Sequence, residues 1–380
     1  MPRSHKSNLN ANKLNSWLLL ISIIILLAAL ITKDYNRYSF NNILNYYGFT
    51  STEQKYALKD LFERAEEKTF NESWNQFFLK NTTKDKAARS ILNMVRASQN
   101  KFSLNRSHKE RWELETLEWM TKDEDAIMKD LTVLGFVEAI KPWRKNVDAV
   151  CIIGASKKVI EQRIEYAFSL IKSCLITPNI IFLTGERHLS IGVDGTEEEL
   201  SKLAEYFNLK DWSKLTEVNL IKKLYLESDL YKLNITTTIL DSSKRETRRP
   251  STQTSILTLI DWLKEKNHIT NIVFVTNQPY IQYKSAVIDA VLREKKFTLN
   301  YEVVGDKARR ENNIKAIAEG LGSYIWAITP IVLNNMNIEI QEPDLTKYFL
   351  DLYHKNHITM YRTIINNIIQ TPNYHEMNVN

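Results

Sequence analysis

Five short apolar runs constrain this chain most: DAVCIIGA (148–155), NIIFLTG (179–185), ITTTIL (235–240), NIVFVTN (271–277) and YEVVG (301–305). The first is a short continuous apolar run ending in Gly, the pattern of a buried parallel strand, and the other four are read as strands of similar length. Between them lie stretches of helical periodicity. In the first, Ile160, Ile164, Ala167, Phe168 and Ile171 share one face. Further helices are expected over 196–207, 214–226, 252–266 and 281–296. Parallel strands cannot be joined by tight turns, so the helices must cross over and cover the sheet. The expected class is therefore α/β: a parallel Rossmann-like sheet of about five strands with flanking helices across 148–305.

Ahead of this body, residues 17–32 read WLLLISIIILLAALIT without a charge. A helix of that length at about 1.5 Å per residue covers most of a hydrocarbon core of about 30 Å. No other segment is expected to rival its hydrophobicity. A cleavable signal would need small residues one and three positions before the cut, and Leu30 and Ile31 stand there instead. The flanks carry no apolar stripe that would join the segment to a core, so it is read as a single transmembrane anchor. Arg3, Lys6 and Lys13 precede it with no acid among them, whereas Asp34 stands between Lys33 and Arg37 after it. This bias keeps residues 1–16 in the cytoplasm and exports the body from a bacterial inner membrane.

From 35 to 141 the pattern is helical. Ser51-Thr52-Glu53-Gln54 offers a capping box. Leu58, Leu61, Phe62 and Ala65, then Ile91, Met94 and Val95, recur at three- and four-residue spacing. Trp74, Phe77, Phe78, Trp112 and Trp119 are expected to fill a helical core. Lys141-Pro142-Trp143 closes this region. Two more long helices, over 307–333 and 344–370, are expected to pack on the sheet or on the N-terminal helices.

The net charge of +6 is modest and the basic residues are scattered, which argues against a nucleic-acid partner. Cys151 and Cys174 are expected to be buried free thiols. No CxxC or HExxH spacing occurs and the seven histidines are dispersed, so no metal site is expected.

In an open parallel sheet, ligands bind outside the carboxyl ends of the strands, where strand order reverses. Those ends are Gly154-Ala155-Ser156-Lys157, Thr184-Gly185-Glu186-Arg187, Asp241-Ser242-Ser243 and Thr276-Asn277-Gln278. Gly154 and Gly185 serve there either as turn residues or to admit a ligand to the backbone. Glu186, Glu217 and Asp241 are available acid/base groups, and His188 is a loop histidine near a strand end. Lys244, Arg245, Arg248 and Arg249 form either an anion site or a solvated loop. GxGxxG is absent, which argues against a dinucleotide; the cofactor is left open.

The order of these motifs resembles a bacterial Rossmann-like family of unknown function, the SanA/ElyC/YdcF-like family. DAVCIIGA and NIIFLTGE match its first two strands. Arg163, Ala167 and Leu170 match its first helix, and Thr216-Glu217-Val218 stands where its Ser-Glu-Ala motif falls. Departures come later. Ser251-Thr252-Gln253-Thr254 replaces Thr-x-Glu-Asn, and Ile281 and Lys284 replace the His and Arg that follow the family's last strand. The likeness spans about 148–305. It implies a role in cell-envelope maintenance, with a pocket of uncertain ligand. Anchor, strand-end polar set and likeness together lead to the expectation of an anionic small molecule or envelope precursor bound by Gly154, Ala155, Ser156, Arg163, Thr184, Gly185, Glu186, Glu217, Asp241, Gln253, Asn277, Gln278 and Lys284. Loss of the family's His and Glu leaves open whether the chain is an enzyme. The alternative is a non-catalytic protein that docks an envelope partner through its helical segments.

Overall fold

The computed structural model describes residues 22–23, 38–67, 70, 74, 83–102, 115–242, 251–266, 268–308, 314–340, 346–347, 349–351 and 368. The anchor expected over 17–32 therefore lies outside the described residues, apart from Ser22 and Ile23, which are helical and exposed. The basic run from Lys244 to Arg249 also lies outside them. So do Phe77, Phe78, Trp112 and most of the helix expected over 344–370.

The chain opens with α1 (Phe40–Tyr46), α2 (Thr52–Arg64), α3 (Lys84–Lys101), α4 (Trp119–Lys122) and α5 (Glu124–Val133). Ser51 caps α2 in the expected capping box with Gln54. Buried Leu58, Leu61 and Phe62 then face the interior. An aromatic cluster fills this part: Phe62 stacks on Phe70 at 4.0 Å and meets Phe102 at 4.7 Å, and Phe102 meets Trp119 at 5.7 Å.

The sheet follows as β1 (Ala149–Ile153), α6 (Lys157–Ser173), β2 (Asn179–Gly185), α7 (Glu197–Tyr206), α8 (Glu217–Glu227) and β3 (Thr236–Ser242). It continues as α9 (Thr252–Lys264), β4 (Asn271–Asn277), α10 (Ile281–Glu294) and β5 (Asn300–Asp306), and α11 (Ile314–Met336) comes after it. All strand pairs are parallel, in the order β3-β2-β1-β4-β5. The chain steps outward from β1 to β3, then returns to lay β4 on the other side of β1. Reversing direction while keeping one crossover hand moves the helices to the opposite face. The packing follows that rule. Val150, Ile152, Phe182 and Val275 meet Ile160 and Ile164 of α6 and Ile221 of α8. Cys151, Ile153, Leu183 and Phe274 meet Leu259 of α9 and Ile288 of α10.

This second face carries a further layer. The N-terminal helices and α11 belong to the same continuous core as the sheet residues beneath α9 and α10, with α11 packed on both α10 and α3. At Gly320 of α11 a Cβ would lie 2.7 Å from the Pro279 carbonyl oxygen. Only glycine lets the helix press on the turn after β4. The most apolar window of this helix reaches a mean hydropathy of 1.4, enough in length and composition to cross a membrane. That window is 83% buried inside the protein, as befits a core helix apolar on all sides.

Smaller corrections concern ends. Residues 212–214 form a separate 3-10 turn, and α8 begins only at Glu217, because Leu215 and Thr216 are extended. Of the two cysteines expected to be buried, Cys151 is buried, whereas Cys174, the C-cap of α6, is exposed.

Candidate functional site

Strand order reverses between β1 and β4, so the fold points to Ile153-Gly154 and Asn277 as the two lips of the crevice. Arg163, one helical turn and a half into α6, reaches back and joins them. Its guanidinium donates to the Ile153 and Gly154 carbonyls at 2.5 and 2.9 Å. It also donates to Asn277 Oδ1 from Nε and Nη2 at 3.1 and 2.7 Å. Arg163 is only 3% exposed, so it forms the floor of the crevice. Asn277 in turn donates to the Gln278 carbonyl at 2.8 Å.

Above that floor sits Glu217, the first residue of α8. A Cβ on Gly154 would lie 1.7 Å from Glu217 Oε1 and 2.8 Å from the Leu183 carbonyl oxygen, so the carboxyl group and the neighbouring strand's backbone together hold this position to glycine. Arg187, two residues beyond β2, donates from Nε to Glu217 Oε2 at 3.2 Å and from Nη2 to the Ala155 carbonyl at 3.2 Å. Its other edge is bidentate on Asp194, at 2.7 and 2.9 Å. Asp194 is itself buried, and it also accepts from the Ser190 and Lys157 amides at 2.9 and 3.2 Å. Lys157 opens α6, and its N-cap Ser156 makes no side-chain capping bond. The carboxylate of Asp194 thus occupies the anion position at this helix N-terminus.

The electrostatics of the group are asymmetric. Burial works against the charge on Arg187, but its bonds to Asp194 and the Glu217 charge outweigh it and hold the guanidinium charged. Burial pushes the Glu217 carboxyl up to about 7 against the pull of Arg187 and Arg163, and Asp194 adds to the rise. Proton exchange in this network therefore falls on Glu217, near neutral pH.

The remaining expected residues lie elsewhere on the rim. Gly185 pairs with Ser242, and Thr184 Oγ1 lies 3.4 Å from Asp241 Oδ1 at the ends of β2 and β3. Burial, followed by the neighbouring charge of Glu186, raises the Asp241 carboxyl. Gln253 is buried in the first turn of α9, where Lys284 Nζ donates to Thr252 Oγ1. Gln278 turns away from the crevice: its Nε2 donates to the Gly135 and Glu138 carbonyls at 2.9 and 2.8 Å, which ties the turn after β4 to the helical region. His188 is exposed, and its backbone bridges to Thr216. Two hydroxyls at strand ends, Thr276 Oγ1 and Ser242 Oγ, are buried without a partner.

Sequence reasoning missed Asp194 and gave Arg187 no role. The available signal was faint: an acid between two glycines in the loop IGVDG, and an Arg two residues past a strand-ending glycine. Among the described residues no cluster of three His, Cys, Asp or Glu side chains is placed to hold a metal ion.

Fold and site together define a Rossmann-like α/β protein with a protonatable carboxyl group at the switch point of its sheet. Comparison of the chain with protein-family models, with curated proteins and with solved structures finds no match in any of the three.

Proposed function

We propose that this is a membrane-anchored protein of the bacterial cell envelope that binds an anionic small molecule at the carboxyl ends of β1, β2 and β4. A phosphorylated or carboxylated envelope precursor has the required chemistry. The observation that carries the reading is the Glu217 carboxyl group, packed on Gly154 between Arg187 and the Arg163 floor. With Glu217 protonated, the two guanidinium groups of Arg163 and Arg187 are set against the one carboxylate of Asp194, which pairs with Arg187, and these four groups together become net cationic. Asp194 already fills the N-terminus of α6, which leaves the Glu217 side of the crevice for the ligand. The envelope role is supported by the motif order shared with the SanA/ElyC/YdcF-like family, and the anchor by the uncharged run at 17–32.

Binding on this reading takes up a proton. The competent fraction of Glu217 falls about tenfold between pH 6 and pH 8 around a value near 7, and apparent affinity falls with it. The test is a thermal-shift screen of the full chain against nucleotides, S-adenosylmethionine and lipid-linked sugar precursors. A ligand at 100 times its Kd should stabilise by roughly 2.7 kcal/mol. Its affinity should weaken from pH 6 to pH 8 in the native protein and stay level in Glu217→Gln. No shift from any of these compounds, or a pH dependence that survives Glu217→Gln, would overturn the site. For the anchor, a reporter active only after export, fused behind Asn380, should give signal. Activity from a cytoplasm-only reporter would overturn the topology.

A further inference from the structure

In a parallel sheet every strand is entered from the same end, so the segments leading into β3, β2, β1, β4 and β5 lie side by side, opposite the crevice. With strands about 4.8 Å apart, they form one end face about 20 Å across. Four large apolar side chains are exposed on it: Trp143 at 75%, Ile176 at 67%, Tyr231 at 50% and Leu226 at 43%. Trp143 reaches this end because the chain runs antiparallel along β5, from the bridge of Ile140 with Gly305 towards Glu302.

Two of these side chains are displayed by fixed backbone. The Glu302 carboxylate accepts from the Trp143 and Arg144 amides at 2.9 and 3.3 Å, and the Arg144 guanidinium lies 4.4 Å from the centre of the Trp143 ring. Ile176 is bonded on both sides: its amide donates to the Lys145 carbonyl at 2.7 Å, and its carbonyl accepts from the Val147 amide at 3.1 Å. Backbone held in this way keeps both side chains turned outward, where a second apolar phase would receive them favourably.

The same segments carry Lys145, Lys172, Lys266, Lys295 and Lys296, all exposed. Glu227 and Asp229 also lie here, but they are ion-paired with Lys223 and Lys232 at 2.8 and 2.7 Å. Among the described residues of these segments, Glu265 is the remaining exposed acid set against the five lysines. A cationic face with tryptophan, tyrosine and isoleucine standing out of it matches the headgroup zone of a bilayer. There anionic lipids attract lysine, and aromatic rings sit at the boundary with the acyl chains. A protein partner fits less well, since lysine is depleted in such interfaces, and a nucleic-acid backbone would gain nothing from Ile176.

We propose that the end of the sheet opposite the crevice is a lipid-docking face, seated on anionic phospholipid headgroups with Trp143 and Ile176 in the interface. The proposal rests on the membrane-anchored reading for nearness to a bilayer, and it turns the crevice away from the membrane.

Cys174 is exposed and Cys151 is buried, so a thiol-reactive nitrobenzoxadiazole dye attaches selectively, two residues from Ile176. The labelled full chain is added to vesicles of phosphatidylcholine alone, or of phosphatidylcholine and phosphatidylglycerol at about three to one. Each is prepared with and without a lipid carrying a headgroup nitroxide. Flotation reads the anchor, and quenching of the dye reads docking. Quenching should be roughly twofold or more stronger in the anionic vesicles, and should fall to the neutral level in about 0.5 M salt. The joint change Lys145→Glu with Lys172→Glu should abolish the difference, as should Trp143→Ala with Ile176→Ser. Flotation and quenching with anionic vesicles alone would remove the anchor and leave the docking face. Flotation with both and equal quenching would keep the anchor and overturn the face. Quenching that survives salt and the lysine changes would overturn it too, as would no quenching in either composition, which would point to a protein partner for this end. The comparison of vesicles uses the native sequence, so it stands even where a variant fails to fold.

Discussion

Glu217 and Gly154 are packed as one unit, the carboxyl group filling the space that a side chain at residue 154 would need. A carboxyl group ordinarily near 4.5 but held near 7 in the folded protein binds more protons folded than unfolded between those values. Stability from this group is then full below about pH 4.5 and is lost as pH rises towards 7, by roughly 3 kcal/mol in total. Urea titrations at pH 5 and pH 8 should show that loss in the native protein and not in Glu217→Gln; a loss of equal size in both would remove Glu217 as its source. Gly154→Ala would place a methyl 1.7 Å from Glu217 Oε1 and 2.8 Å from the Leu183 carbonyl oxygen. We expect a cost of about 1–3 kcal/mol, read as a lower melting temperature, together with loss of the pH dependence as the carboxyl group is pushed into solvent. An unchanged melt would mean that the glycine is only a turn residue.

At the scale of elements, the loop between β2 and α7 holds the start of α6 through a single carboxylate. Asp194 accepts from the first amide of α6 and from both terminal nitrogens of Arg187. Removing it leaves a largely buried guanidinium with Glu217 as its remaining acidic partner. Breaking a buried pair by deleting one partner costs about 3–5 kcal/mol. Asp194→Ala should therefore destabilise by that order in chemical denaturation, whereas the joint change with Arg187→Met should cost less than the two single changes summed. Strict additivity would show that the two groups act independently. The Ser51 cap offers a contrast: Ser51→Ala removes one capping box at the start of α2 and should cost only about 1 kcal/mol.

At the scale of the whole molecule, the N-terminal helices, the sheet and α11 share one continuous core. Leu321 of α11 is fully buried within it, and Leu321→Ala should cost about 2–5 kcal/mol. Hydrogen exchange should then register the same loss in peptides from α2 and α3 as in peptides from β1 and β4. Loss confined to the helical peptides would show two separately folding units. Such sharing also explains why Gln278 does not face the crevice. Its amide bonds to the Gly135 and Glu138 carbonyls fasten the sheet's switch point to the helical layer.

By itself the sequence determined the alternation of strand and helix, because buried parallel strands need continuous apolar runs and crossover helices need an apolar stripe, and both are local patterns. It also determined the capping box at Ser51 and the strand ends that form the crevice. Strand order, the merging of three regions into one core and the partners of each polar side chain were decided only in the tertiary structure. Arg163 and Asn277 stand 114 residues apart in the chain, Arg187 and Glu217 30 apart. No periodicity links such positions. The sheet's return from β3 to β4 brings the first pair together, and the antiparallel bridge of His188 with Thr216 brings the second. Burial at that junction then gives Glu217 its proton affinity.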